Sequence, residues 1–201
     1  MHTFATTAPI TAVLDIPAGR VQFIAADRAD AAVEVLPVDA SKSRDVKAAE
    51  KIDVAFADGV LRVRAEAGST ILGSSGSVEI TVQLPAGSRV EAKAASAEFR
   101  GVGRLGDIAF EAAQSDIKID EAAHVRLNTQ AGDVTVGRLN GSAEISTQKG
   151  DITVSVAAGR SASLDAGTTY GRVHNSLKNT GAPDLTIRAT TAYGDITARS
   201  L

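Results

Sequence analysis

Gly132-Asp133-Val134-Thr135-Val136 is written again at Gly150-Asp151-Ile152-Thr153-Val154 and at Gly194-Asp195-Ile196-Thr197-Ala198. A looser copy, Ser115-Asp116-Ile117-Lys118-Ile119, lies upstream, and Gly171-Arg172-Val173-His174-Asn175 fills the remaining gap. The copies start at 115, 132, 150, 171 and 194, in steps of 17, 18, 21 and 23 residues. One strand signature per step of about 20 residues points to a stacked repeat architecture. Inside each copy, Gly and Asp mark a turn, the next apolar residue points inward, and Thr or Lys points to water.

About ten residues from each copy lies a second alternating stretch: 108–113, 125–130, 143–148, 162–166 and 185–190. Val125, Leu127 and Thr129 read as interior, as do Ala143, Ile145 and Thr147, while Arg126, Asn128, Glu144 and Ser146 read as exposed. Nothing between these strands is long enough for a crossover helix, so like strands should lie in parallel, one coil above the next. The insert from Ser176 to Pro183 accounts for the longer last steps and reads as a side loop.

Upstream of the repeat the pattern changes. Strands are expected at 11–16, 20–25 and 32–36, the first two joined by Pro17-Ala18-Gly19, a device that returns at Leu84-Pro85-Ala86-Gly87-Ser88. Residues 41–51 fit either a short helix with Asp45 as its N-cap or a solvated loop. Ala57-Asp58-Gly59 between Ile52–Phe56 and Val60–Ala65 signals a tight hairpin. A Gly/Ser-rich linker from Gly68 to Ser77 leads into a strand with Val78, Ile80, Val82 and Leu84 inside. The fold class expected is all-β: a parallel β-solenoid of about five to six short coils with an N-terminal antiparallel, hairpin-containing region packed on its end. Residues 1–95 form that region and the start of the stack and 96–201 the repeats, in one continuous structural unit.

Composition narrows the function classes. The 201 residues carry 21 Lys and Arg against 24 Asp and Glu, a net charge of −3, so a nucleic-acid partner is not expected. Aromatics are 3% with no Trp, which calls for thin layers of Val, Ile, Leu and Ala. The absence of Cys removes disulfides and thiolate chemistry. Met1-His2-Thr3-Phe4-Ala5 is not the start of a signal peptide and no stretch suits a transmembrane segment. A cytoplasmic location is therefore expected, with peripheral membrane association or unconventional export as the alternative.

The repeated Asp (Asp107, Asp116, Asp133, Asp151, Asp195) is the first chemical candidate, since stacked carboxylates can bind a hard cation. Asp after Gly also favours a turn in which the carboxylate caps backbone N–H groups, and Arg172 interrupts the column, so Asp116, Asp133 and Asp151 are only weak metal candidates. Gly68-Ser69-Thr70-Ile71-Leu72-Gly73-Ser74-Ser75 resembles a phosphate-binding loop but has Ser74 where that loop needs Lys. His2, His124 and His174 have no second His or carboxylate at ligand spacing on a helix. Tyr170 and Tyr193, each before a corner Gly, are expected to stack on one another. No catalytic residue and no cofactor are expected.

Leu-Asp-Ile-Pro-Ala-Gly (14–19), Ala-Asp-Gly-Val-Leu-Arg-Val (57–63), Val-Gln-Leu-Pro-Ala-Gly (82–87) and the iterated Gly-Asp-Ile-Thr-Val occur in an order that resembles the bacterial "putative adhesin" family, whose β-solenoid-like domain is also called a toastrack. The resemblance implies a protein-interaction scaffold, with a link to envelope-stress signalling, and supplies no catalytic residues. The expected function is a non-enzymatic scaffold or interaction module, with an adhesin or carbohydrate-binding surface as the alternative. The expected partner is a protein or a second copy, meeting the solenoid end. The Gly194 strand should leave an edge that another copy, a partner or N-terminal residues must cover, with Asp195, Thr197 and Arg199 as the candidate interaction surface.

Overall fold

The computed structural model describes residues 1–66 and 76–201. The phosphate-loop-like stretch Gly68–Ser75 lies outside the described residues. Along the chain come β1 (His2–Ala5), β2 (Thr11–Ala26), β3 (Asp30–Pro37), the helix α1 (Ser43–Glu50), β4 (Ile52–Ala57), β5 (Val60–Ala65), β6 (Val78–Pro85) and β7 (Arg89–Leu105). The repeat then contributes strand pairs: β8 (Ile108–Gln114) with β9 (Ile117–Ala122), and β10 (Val125–Ala131) with β11 (Val134–Leu139). The last three pairs are β12 (Ala143–Ser146) with β13 (Ile152–Val156), β14 (Ala162–Tyr170) with β15 (Val173–Ser176), and β16 (Leu185–Tyr193) with β17 (Ile196–Ser200).

Like strands stack in parallel register, Val125 opposite Ala143 and Val134 opposite Ile152, so the solenoid expected from the repeat is present. Two parallel ladders run the length of the molecule. The first is β5–β2–β7–β8–β10–β12–β16–β14, and the second is β6–β2–β7–β9–β11–β13–β17–β15. β2 and β7 belong to both ladders because each runs through a corner without a break. Pro17-Ala18-Gly19, expected as a turn between two strands, is such a corner inside one continuous strand.

Among the described residues the stack therefore holds eight parallel layers: the five repeats and three more built from residues 11–26, from β5 with β6, and from residues 89–105. The antiparallel cap is as the sequence suggested. β4 pairs antiparallel with β5 through the Asp58-Gly59 turn, where φ is 52° and 73°, the positive values a two-residue hairpin turn of matching twist requires. β3 pairs antiparallel with β6, and β1 with β3. Residues 43–50 resolve to the helix rather than the loop, but Asp45 is not its N-cap. Lys42 holds that position, and Asp45, buried in the first turn, accepts the backbone N–H of Ser77 at 3.0 Å.

Layer order departs from chain order at both ends. Residues 11–26 fill the second layer and β5 with β6 the first. At the far end 162–176 form the outermost layer, and the chain then turns back to slot 185–200 between them and 143–156. This corrects the expectation for the Gly194 strand. Its edge is covered by Val173–Ser176 of the same chain, not by another copy, a partner or N-terminal residues. The longer steps of 21 and 23 residues fall where the chain skips a layer and then returns.

Interior columns alternate as expected. Ile117, Ile119, Val134, Val136, Ile152, Val154, Ile196 and Ala198 are all buried, and Phe23, Phe99 and Phe110 form a chain of ring contacts with centroids 5.6 and 4.7 Å apart. Each fully buried Val, Ile or Leu is worth about 1.5–3 kcal/mol, and it is buried by the layers above and below, so no layer is stable alone. Replacing Val134 or Ile152 by Asp places an unpaired carboxylate in this column and should cost several kcal/mol. Thr153→Asp, on the solvent face, should cost less than about 1 kcal/mol. Urea unfolding of the three variants checks this, and equal midpoints would contradict the column.

Candidate interaction surface

The repeated Gly and Asp form one corner of the solenoid. At Gly150 φ is +149°, and a Cβ there would lie inside contact distance of the Gly132 carbonyl oxygen in the layer below. The same approach recurs at Gly194 against Gly150, so a Cβ is excluded at these positions of the corner, whereas the first copy opens on Ser115. The following Asp stitches layers together. Asp116 accepts the N–H of Asp133 at 3.1 Å, Asp133 that of Asp151 at 2.8 Å, Asp151 that of Asp195 at 2.7 Å, and Asp195 that of Arg172 at 2.8 Å. The candidate metal ligands Asp116, Asp133 and Asp151 thus each commit one oxygen to the neighbouring layer. Among the described residues no group of three or more His, Asp or Glu side chains converges as a metal site.

Asp107 stands at a different corner, with His124 and Ser142 in the next two layers. The steps of 17 and 18 residues between them are those of the repeat, a signal that a search for helical ligand spacing misses. Asp, His and Ser lining one depression invite comparison with a hydrolytic triad. The wiring is opposite. His124 Nδ1 accepts the backbone N–H of Ser142 at 3.0 Å, whereas a triad needs Nδ1–H donated to the carboxylate. His124 does for its corner what the Asp column does for the other.

The outer face of the first ladder carries a groove that crosses the layers. A depression of about 430 Å3 lies among Arg89, Asp107, His124, Arg126, Glu144 and Arg188. A second of about 340 Å3 shares Ala109 with it and reaches Asp15, Arg64 and Lys93. A third of about 420 Å3 shares Lys93 and Glu111 with the second and extends to Asn128 and Gln148. Charges alternate between layers: Lys93 pairs with Glu111 at 3.1 Å and Arg126 with Glu144 at 3.1 Å, while Arg188 stands 4.0 Å from Asp165. Exposed pairs of this kind contribute at most about 1 kcal/mol each, so their regular placement shapes the surface more than it stabilises the fold.

Asp195, Thr197 and Arg199 lie on the outer side of the second ladder, in the penultimate layer rather than at an edge. Thr197 sits between Thr153 and His174, and Arg199 donates to Ser155 Oγ at 3.0 Å. Asp195 accepts from the Arg172 backbone and pairs with its guanidinium at 3.0 Å, and these two contacts hold its carboxyl below its ordinary value of 3.8. Tyr170 and Tyr193 do stack, with centroids 4.9 Å apart and an interplanar angle of 9°. No helix among the described residues is long and apolar enough to cross a membrane.

Residues 104–200 match the family model described as Toastrack DUF4097. Among solved structures, the chain is similar to a "putative cell adhesion protein" from Clostridium sporogenes ATCC 15579, with 14% identity and a TM-score of 0.51 over 100% of this chain and 98% of that one. It is also similar to a "putative adhesin" from Bacteroides fragilis NCTC 9343, with 13% identity and a TM-score of 0.43 over 98% and 95% of the two chains. No curated protein matches it. The family resemblance read from the ordered motifs is borne out, and the likeness to the Clostridium structure is one of fold.

Two measurements test the corner. Asp151→Ala should cost about 1 kcal/mol by orphaning the Asp195 N–H, Asp151→Asn should retain most of the stability, and Ca2+ should leave the wild-type melting temperature unchanged. A Ca2+-dependent rise that Asp151→Asn abolishes would restore the cation reading. Because the folded-state pKa of Asp195 is depressed, its contribution is present above 3.8 and lost as pH falls through the lower folded value. The melting temperature of Asp195→Asn should therefore fall less steeply than wild type below about pH 4, as calorimetry would show.

Proposed function

We propose that this chain, whose residues 104–200 carry a toastrack domain, is a non-enzymatic interaction module that reads a partner protein along the groove of its first ladder. The observation that carries this reading is the groove itself: three connected depressions crossing the layers, lined by alternating charges on a rigid parallel sheet. Such a surface matches an extended, charge-patterned segment, since complementary charges set register and partner choice more than raw affinity. Its lining residues are mostly polar, charged or small, with Val13, Leu14, Ile108 and Val125 as the larger apolar members, and include no aromatic ring on which a sugar could stack, which favours a protein over a glycan. A role in envelope-stress signalling belongs to this proposal through the family resemblance alone.

The test is capture of partners from the native host with wild type and with the double charge reversal Lys93→Glu, Arg126→Glu. A protein retained by wild type, lost by the variant and binding directly when purified is the expected result. Direct binding unaffected by the reversal would remove the groove from the reading. A glycan-array signal that the reversal abolishes would favour the adhesin alternative.

A further inference from the structure

The outermost layer, 162–176, is unlike the layers it stacks on. It places Tyr170 in line with Tyr193, Arg172 where the Asp column would continue, and Asn175 opposite the buried Ala198. Among the described residues β14 pairs with β16 alone among the strands and β15 with β17 alone, so beyond Ala162, whose N–H donates to the Lys178 carbonyl at 2.9 Å, one side of each strand faces no further strand. Native edges are normally blocked by Pro, Lys or a bulge. Neither Ala162–Tyr170 nor Val173–Ser176 contains Pro or Lys, and both hold unbroken register with their neighbours. Apolar surface gathers at the same corner: Tyr170 is 64% exposed and Val173 43%. One face of the Tyr170 ring lies on Tyr193, and the other is open along the stacking direction.

We propose that a second copy of this chain docks on this layer about a two-fold axis through the Tyr170 corner. Such an axis exchanges the two sides that meet there. β14 runs toward the corner and β15 away from it, so the copy's β14 lies antiparallel on β15, and its β15 on β14. Both free edges are then paired by one operation, as an isologous interface requires. Tyr170 stacks on its own counterpart, continuing the aromatic column. The same rotation sets Thr168 against Val173 and brings together Leu164 and Leu177, two half-buried apolar residues at the open end of the core. Charge agrees with this geometry. Asp165 on β14 comes between His174 and Lys178 of the other copy, whereas within its own chain its ion-pair partner is Arg188 of the neighbouring layer, 4.0 Å away.

This surface is separate from the groove, so the proposal stands or falls independently of the groove's partner. Sedimentation equilibrium of the full chain over a wide concentration range reads it directly. The expected result is reversible association to twice the monomer mass, lost in Val173→Lys and in Tyr170→Glu at a temperature where circular dichroism shows both variants still folded. Lys178→Asp should weaken the dimer at least several-fold, and Asp165→Lys combined with Lys178→Asp should recover it. A wild-type chain that stays monomeric at the highest concentration overturns the proposal and leaves the edge to a foreign strand. A dimer that both edge variants leave intact overturns it as well.

Discussion

The approach of one layer's corner Gly to the backbone of the next sets the terms for the rest of the molecule. Parallel strands lie about 4.7–4.9 Å apart, and at the corner of Gly132, Gly150 and Gly194 that spacing leaves no room for a Cβ beneath the next carbonyl. Once Gly is obligatory there, the turn gains no side-chain support from Gly itself. The following Asp supplies it by reaching along the stack to the N–H of its equivalent in the next layer. Register therefore passes from layer to layer at the corner, and the apolar columns on either side fall into line. A repeated carboxylate that resembles a cation column is the means by which one layer positions the next.

The layer skips change how such a stack must assemble. In a solenoid whose layers follow chain order, each new coil pairs with the one made before it. Here residues 143–156 and 162–176 share no ladder until 185–200 arrives between them, and β5 and β6 pair with β2 from the side opposite β7. Both ends thus depend on pairings far apart in the chain, which raises the loop-closure entropy to be overcome before the last layers form. The compensation is that 11–26 and 185–200 each have a paired layer on both sides. The exposed edge falls instead to 162–176, the layer whose sequence departs from the repeat at Tyr170, Arg172 and Asn175.

The outer faces follow a different rule from the core. Lys93–Glu111, Arg126–Glu144 and Arg20–Glu98 join equivalent positions of neighbouring layers, and all are exposed. Pairs of that kind add little stability, so their effect is to pattern charge across the outer faces of neighbouring layers. A fold whose interior is nearly uniform carries its individuality on these faces and at its ends.

Much of this was legible in the residues. The repeat of Gly-Asp-apolar-Thr-apolar determined the strands, the parallel stack, the inward and outward positions and the stacking of Tyr170 on Tyr193, because all of these follow from local turn chemistry and a period of two. Asp58-Gly59 determined the hairpin for the same reason. Layer order was not legible. The copies at 150 and 194 are nearly equivalent strands and the copy at 171 departs from both, yet nothing local says whether a coil stacks on its predecessor or leaves a gap to be filled later. The line of Asp107, His124 and Ser142 was hidden likewise, since these residues meet only when three layers are superposed. The sequence alone determined what each layer is. Only the tertiary structure decided which layer is outermost, because that choice depends on how well Ala162–Ser176 and Leu185–Ser200 each bury their columns against 143–156, an energy shared between segments that no single segment contains.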